Sequence, residues 1–303
     1  MPVEASTPTS IRGRNLIFAT ACSVSLLIAA PAAQSAEQWG STSLSIFSGG
    51  ISGPDGGTPY GGVIKGPDGN YYGTTWYGGT GGGTVFKVTP SGAKSIVYAF
   101  SGAADGQQPF KLTVGPNGNF YGTTLWGGRS SESYGYGIIF EVTPSGQETI
   151  LQSFVGTGGG PANPAAGLTL AKDGNFYGTS SNGGASGAGT FFRMTPTGEL
   201  TVLSSFGGST GASPHGELIE GPDGAFYGTT AEGGDGGYGT VFKVTSDGVF
   251  TVLHAFVGGV DGAHPAAPLL LAHDGSLYGT TETGGSGSCT FAAYPTAAAQ
   301  CSA

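Results

Sequence analysis

Charge is what this sequence has least of. Asp, Glu, Lys and Arg make up 10% of its 303 residues, and only 10 basic residues stand against 19 acidic ones. A net charge of −9 repels phosphate backbones, which excludes nucleic acid and anionic membrane surfaces as partners. No Gly-x-y period is sustained, so a collagen-like fibre is excluded. No apolar run reaches the ~20 residues that a spanning helix needs. The chain has no G-x-S-x-G elbow, no Walker loop and no fixed His, Asp or Cys ligand spacing, so neither cofactor nor metal is expected.

What is present is glycine, 61 residues of it, together with 11% aromatic residues. A disordered chain has little apolar surface, whereas this one has enough Phe, Tyr, Val and Leu to build a core. The glycine therefore belongs to turns. At the N-terminus, Arg12 and Arg14 precede an uncharged apolar run from Leu16 to Ala30, and small residues follow through Ala36. This is the pattern of a secretory signal peptide over residues 1–36. Its removal takes away Arg12, Arg14 and Glu4 and leaves 8 basic and 18 acidic residues, a net charge of −10. Residues 37–303 are then expected to form one secreted or periplasmic domain, monomeric and without a membrane span. Cys289 and Cys301 are expected to form a disulfide in such a compartment, worth roughly 3 kcal/mol in the chain-entropy picture.

Tyr-Gly-Thr recurs at Tyr72, Tyr121, Tyr177, Tyr227 and Tyr278, at spacings of 49, 56, 50 and 51 residues. An apolar residue stands nine positions before each tyrosine: Val63, Leu112, Leu168, Leu218 and Leu269. Between these two points lies an Asp-Gly or Asn-Gly pair, as in Asp68-Gly69 and Asn117-Gly118. Asx-Gly between apolar runs marks a tight hairpin, because the turn needs positive φ. A second hairpin follows in each unit. From the glycine opening its first strand to the phenylalanine closing its second, the distance is 17 residues in four units: Gly83 to Phe100, Gly137 to Phe154, Gly189 to Phe206, and Gly239 to Phe256. Four antiparallel strands every 50 or so residues describe a propeller blade; a β-helix has shorter coils and no use for two tight hairpins per unit.

The fifth unit lacks a fourth strand. Residues 43–49, ending in Phe47-Ser48-Gly49, match Ile96 to Gly102, which end in Phe100-Ser101-Gly102. The predicted fold is thus an all-β, five-bladed β-propeller of four-stranded antiparallel blades. The N-terminal strand closes it by pairing beside the segment around Cys289.

The unit as it stands in Asp173-Gly174-Asn175-Phe176-Tyr177-Gly178-Thr179 and Gly239-Thr240-Val241-Phe242-Lys243-Val244-Thr245 resembles the GloVer tandem repeat of choice-of-anchor exported bacterial proteins. The resemblance covers nearly the whole mature chain. It implies bacterial origin, export and a propeller-like repeat array, and it brings no established activity. The chain ends without a sorting or anchoring segment, which points to a free exported protein.

Residues repeated in every unit read as structural, including the turn Asp, which is too isolated a carboxylate for calcium. Positions that break the repeat read as candidate contacts. Trp76, Tyr77, Trp126, Tyr134 and Tyr136 lie on variable loops of the first two units and present faces suited to sugar rings. His215 and His264 sit beside prolines leading into first strands, with Gln108 and Asn163 in comparable links. Acids on the inner strands come from one unit, Glu217 and Glu220, whereas glycoside hydrolysis needs carboxylates converging from several. The expectation is therefore a non-enzymatic binding or scaffold module for a glycan or cell-envelope ligand. The alternative is a polysaccharide-acting hydrolase or lyase with its site at the channel mouth.

Overall fold

Each unit is organised around its Asx-Gly turn. In a computed structural model that describes residues 16–20, 23–29, 39–47, 52–128, 134–156 and 158–285, Asp68 accepts hydrogen bonds from the Asn70 backbone N–H at 3.1 Å and from the Tyr72 hydroxyl at 2.7 Å. Gly69, at φ 82°, closes the turn by donating its N–H to the Gly66 carbonyl at 3.0 Å. The same hydroxyl-to-turn bond joins Tyr177 to Asp173 and Tyr227 to Asp223, both at 2.9 Å. The repeated tyrosine thus ties its ring to the core and its hydroxyl to the turn.

From these hairpins grow antiparallel sheets of one pattern. In the first unit, Gly57–Pro59 and Ile64–Lys65 both pair with Tyr71–Tyr77, which pairs with Thr84–Val88, which pairs with Lys94–Ala99. The second unit repeats this with Gln107–Pro109, Thr113–Val114, Phe120–Trp126, Ile138–Val142 and Glu148–Ser153, and the fourth with Ala212–Pro214, Ile219–Glu220, Phe226–Glu232, Thr240–Val244 and Phe250–Ala255. The third has Thr169–Leu170, Phe176–Ser180, Thr190–Met194 and Leu200–Ser205, with Pro161–Ala162 paired to Asn182–Gly183 beside them. Of the fifth, the hairpin Leu270–Leu271 and Leu277–Tyr278 is described. The innermost strand predicted as one piece is therefore two short pieces, and the residues between them lie outside both, although the Phe110 N–H still donates to the Thr123 carbonyl of the second strand at 2.9 Å.

Neighbouring units are clasped by repeated contacts. The second-strand tyrosine packs on the next unit's second-strand phenylalanine: Tyr72 on Phe120 at 4.0 Å between ring centroids, Tyr121 on Phe176 at 4.4 Å, Tyr177 on Phe226 at 4.1 Å. The closing phenylalanine packs on the next unit's third strand: Phe100 on Phe140 at 5.0 Å, Phe154 on Phe192 at 5.9 Å, Phe206 on Phe242 at 5.1 Å. The first threonine crosses the seam as a donor in three units, Thr74 to the Phe110 carbonyl at 3.0 Å, Thr123 to the Ala166 carbonyl at 2.6 Å and Thr229 to the Ala267 carbonyl at 3.3 Å, whereas Thr179 Oγ1 is buried without a partner among the described residues. The second stays within its unit, as in Thr230 against Thr240 at 2.9 Å.

The ends depart from the predicted ring. Trp39–Ile46 pairs with Ser23–Ala29, which pairs with Leu16–Thr20, so its edge is taken by upstream residues. Tyr278 is 57% exposed where Tyr72, Tyr121 and Tyr177 are buried, so no sheet from the first unit covers it. No closed ring of sheets forms among the described residues. The segment around Cys289 and the proposed Cys289–Cys301 disulfide lie outside them. Phe47 nevertheless packs edge-on against Phe86 at 4.9 Å, the contact that Phe100 makes with Phe140.

Candidate functional site

The breaks in the innermost strands create the site. Because Tyr60 to Val63, Phe110 to Leu112, Pro164 to Leu168, His215 to Leu218 and Ala266 to Leu269 fall outside the strand pieces, these stretches are free to line a shared space. They do so around one cavity of about 870 Å³. The lining takes Tyr60, Phe110, Lys111, Gly167, His215, Glu217 and Pro268 from these stretches, and Trp76, Leu125, Glu232 and Glu282 from residues that follow the threonine pairs.

Each stretch begins in a strained backbone. Thr58, Gln108, Asn163, Ser213 and His264 all have positive φ, between 52° and 58°, and each directly precedes a proline. A non-glycine residue there costs of order 1–3 kcal/mol and persists only where its surroundings over-determine it. Here the backbone N–H is held by the preceding unit: Gln108 donates to the Gly82 carbonyl at 2.9 Å, Asn163 to Tyr136 at 2.7 Å, Ser213 to Ala188 at 3.0 Å, and His264 to Tyr238 at 2.9 Å. Side chains add a second tie. Gln108 Nε2 donates to the Tyr77 hydroxyl at 2.9 Å, Asn163 Nδ2 to the Leu125 carbonyl at 3.0 Å, and His264 Nδ1 lies 2.9 Å from the Ala231 carbonyl.

The cavity has an aromatic side and an acidic side. Tyr60 stacks on Trp76 with centroids 3.7 Å apart and planes 21° apart, and Phe110 stands edge-on to both. Among the acids, Glu217 is ion-paired with Lys111 Nζ at 2.7 Å. That bridge reaches from the second unit to the fourth over Gly167 of the third; a Cβ there would lie 3.3 Å from Lys111 Cβ and 3.6 Å from Glu217 Oε1. Glu282 lines the same cavity, and burial, and then the charge of Glu282, push the Tyr60 hydroxyl above its usual pKa.

Of the residues singled out in the sequence, Trp76, His215 and His264 line the cavity. Tyr77 stands behind it as the acceptor for Gln108. Trp126 and Tyr134 meet edge-on at 6.4 Å, away from the lining, with Tyr134 72% exposed. Tyr136 is half-buried against the core of Tyr121, Phe154 and Phe176, so it is a packing residue. Glu220 turns to the third unit, accepting from the Lys172 backbone N–H at 3.0 Å. Tyr60, Phe110 and Lys111 escaped sequence reasoning, as did the roles of Glu232 and Glu282. A column-by-column comparison of the residue before each first-strand leucine or valine (Gly62, Lys111, Gly167, Glu217, Pro268) carries the signal for the charged pair. Among the described residues, no group of three or more His, Cys, Asp or Glu is placed to hold a metal ion. No helix among them is long and apolar enough to cross a membrane.

Solved structures share the arrangement of strands. A candidate 6-phosphogluconolactonase from Bacteroides uniformis ATCC 8492 matches at a TM-score of 0.53 and 15% identity, over 86% of this chain and 71% of that one. A luciferin-regenerating enzyme matches at 0.50 and 11%, over 85% and 76%. A candidate gluconolactonase matches at 0.46 and 16%, over 73% and 71%. No curated protein sequence matches. The expectation of a non-enzymatic binding or scaffold module is corrected here, because the propeller-like structures that this chain resembles are enzymes. The physical reason for the error is plain: counting acids on the innermost strands found one unit, whereas Glu232 and Glu282 reach the cavity from beyond the threonine pairs of two units. A sequence profile described as the Gloeobacter/Verrucomicrobia repeat matches residues 129–297, more than half of the chain. The chain belongs to the Gloeobacter/Verrucomicrobia repeat family.

Proposed function

We propose that this protein is a hydrolase acting on polysaccharide at the mouth of the cavity. The observation that carries the reading is the meeting, in one space, of Glu217 and Glu232 of the fourth unit and Glu282 of the fifth with an aromatic wall from the first two units. Cleaving a glycosidic bond requires one carboxylic acid to protonate the leaving oxygen while a carboxylate attacks or activates water. Glu217, held in place by Lys111, takes the base or nucleophile role, and Glu232 that of the acid. Tyr60 and Trp76 offer the sugar ring a flat apolar face. A lyase acts beside the carboxylate of a uronate, which this acidic lining repels, so hydrolysis is preferred. The same repulsion sets the chain apart from a phosphogluconolactone substrate such as the name of one structural neighbour implies.

The reading includes an exported chain cleaved near residue 36, tied by Cys289–Cys301, with five units forming a ring. Two observations support the ring: the Phe47 contact on Phe86, and the approach of Glu282 in the fifth unit to Tyr60 in the first. Cleavage would remove Ser23–Ala29 and leave both edges of Trp39–Ile46 available to the fifth unit. The test is release of reducing ends from pooled polysaccharides by the purified chain. Glu217→Gln and Glu232→Gln should each lower kcat by about 10²–10⁴-fold. Hydrolysis that survives both substitutions, or no hydrolysis of any pool, overturns the reading.

A further inference from the structure

The lining of the cavity is unbalanced in charge. Its one lysine, Lys111, is bound to Glu217, which leaves Glu232 and Glu282 without a lysine or arginine partner among the described residues. Of the two, Glu282 comes from the fifth unit into the same cavity that Tyr60 and Trp76 line from the first. It occupies in the fifth unit the position that Trp76 occupies in the first, directly after the threonine pair. Its charge is felt at the Tyr60 hydroxyl.

The aromatic wall is itself suited to a cation. Tyr60 and Trp76 are stacked in parallel, and Tyr60 remains 57% exposed, so a ring face stays open to a ligand. Phe110 sets its edge against both at 76° and 86°, fixing the pair from behind. A ring face carries negative potential and attracts an ammonium within about 6 Å, most strongly where water is excluded. Trp76 also has its Nε1 buried with no hydrogen-bond partner among the described residues. A buried N–H donor without an acceptor is costly, so the wall is held in place against that cost by its stacking.

We propose that Glu282, Tyr60 and Trp76 form a subsite for a protonated amine, so that the carbohydrate taken is an amino-sugar chain with free amino groups. The carboxylate would pair with the ammonium and the ring face would cover it. Phosphorylated sugars and uronates carry charge of the wrong sign for this lining, and N-acetylation would abolish the charge that the subsite recognises.

This inference rests on the hydrolase reading for its substrate class, and the experiment separates the two. Calorimetric binding and reducing-end release are measured for oligomers of glucosamine, N-acetylglucosamine, glucose and galacturonate. The glucosamine oligomer should bind at least tenfold more tightly than the N-acetylated and neutral oligomers, and galacturonate should not bind. The preference should shrink at high salt and disappear in Glu282→Gln, whose exposed position leaves the fold intact by circular dichroism. Equal binding of glucosamine and glucose oligomers, or a preference that survives Glu282→Gln, overturns the subsite. Cleavage of neutral oligomers without an amine preference overturns it while the hydrolase reading stands. Tight, Glu282-dependent binding of glucosamine oligomers without cleavage upholds the subsite and overturns the hydrolase. No binding or cleavage of any oligomer overturns both.

Discussion

Gly239 shows what a single residue must do at a seam. At φ 98°, a Cβ built on it would lie 2.2 Å from the Thr230 carbonyl oxygen and 2.8 Å from Cδ of Pro265 in the following unit. Gly83, Gly137 and Gly189 meet the same two kinds of atom in their own units. The glycine that opens the third strand is thus a slot for the proline that precedes the next cavity stretch. Gly239→Ala should cost about 2–4 kcal/mol, since it adds both a backbone clash and a left-handed penalty. Urea unfolding measures it, and an unchanged midpoint would refute the slot. Asp223 behaves differently at the same scale. Hydrogen bonds from Lys243 and then Tyr227 hold its carboxyl down to about 2, so its contribution is present above its usual pKa and is lost as pH falls toward that value.

Among elements, the outer strands disclose a mismatch between equivalent positions. Lys94 opens the fourth strand of the first unit, bonds Asp55 of the preceding link at 2.7 Å, and lies 4.1 Å over the Phe47 ring. The corresponding residue of the second unit is Glu148, and it faces Asp105, which already accepts from the Tyr98 hydroxyl at 3.1 Å. Burial, and then the Asp105 charge, push Glu148 up to about 7 from its usual 4.5. The folded state therefore holds this proton more tightly than the unfolded chain does. Its stabilisation is complete below about 4.5 and is lost as pH rises through about 7. Glu148→Lys should copy the Lys94–Asp55 pair. It should raise stability at pH 8 by about 1 kcal/mol, a figure discounted for partial exposure, and flatten the pH dependence. Thermal melts across pH check this; a lower Tm for the variant at pH 8 would count against it.

For the whole molecule, the issue is what holds the first unit at its outer side. Phe47 is buried against Phe86, and Lys94 Nζ donates to the Ile46 carbonyl at 2.6 Å. A chain starting at residue 37 keeps these contacts, whereas one starting at residue 48 loses them. The shorter chain should be less stable by about 3–5 kcal/mol, the usual cost of deleting a buried phenylalanine. Equal Tm values for the two would show that residues 39–47 carry no structural load. The ring proposed above would close through the same strand, which is last in its three-stranded sheet and pairs along one edge with Ser23–Ala29.

The repeat was open to reading from the chain because it is built from local requirements. Asp68-Gly69 reads as a turn, the period of two over Thr84 to Val88 reads as a strand, and a fixed 17-residue interval leaves one hairpin geometry, although packing between units buries that strand on both faces where its pattern implied one. What joins Glu217 to Lys111, 106 residues apart, or brings Glu282 into one cavity with Tyr60, is not local. Those meetings follow from how far each unit turns relative to the last and from where the innermost strand breaks. Both depend on packing across seams, summed around the molecule. The repeating residues thus determined the units and their turns, while only the assembled sheets decided which of the non-repeating side chains would face one another.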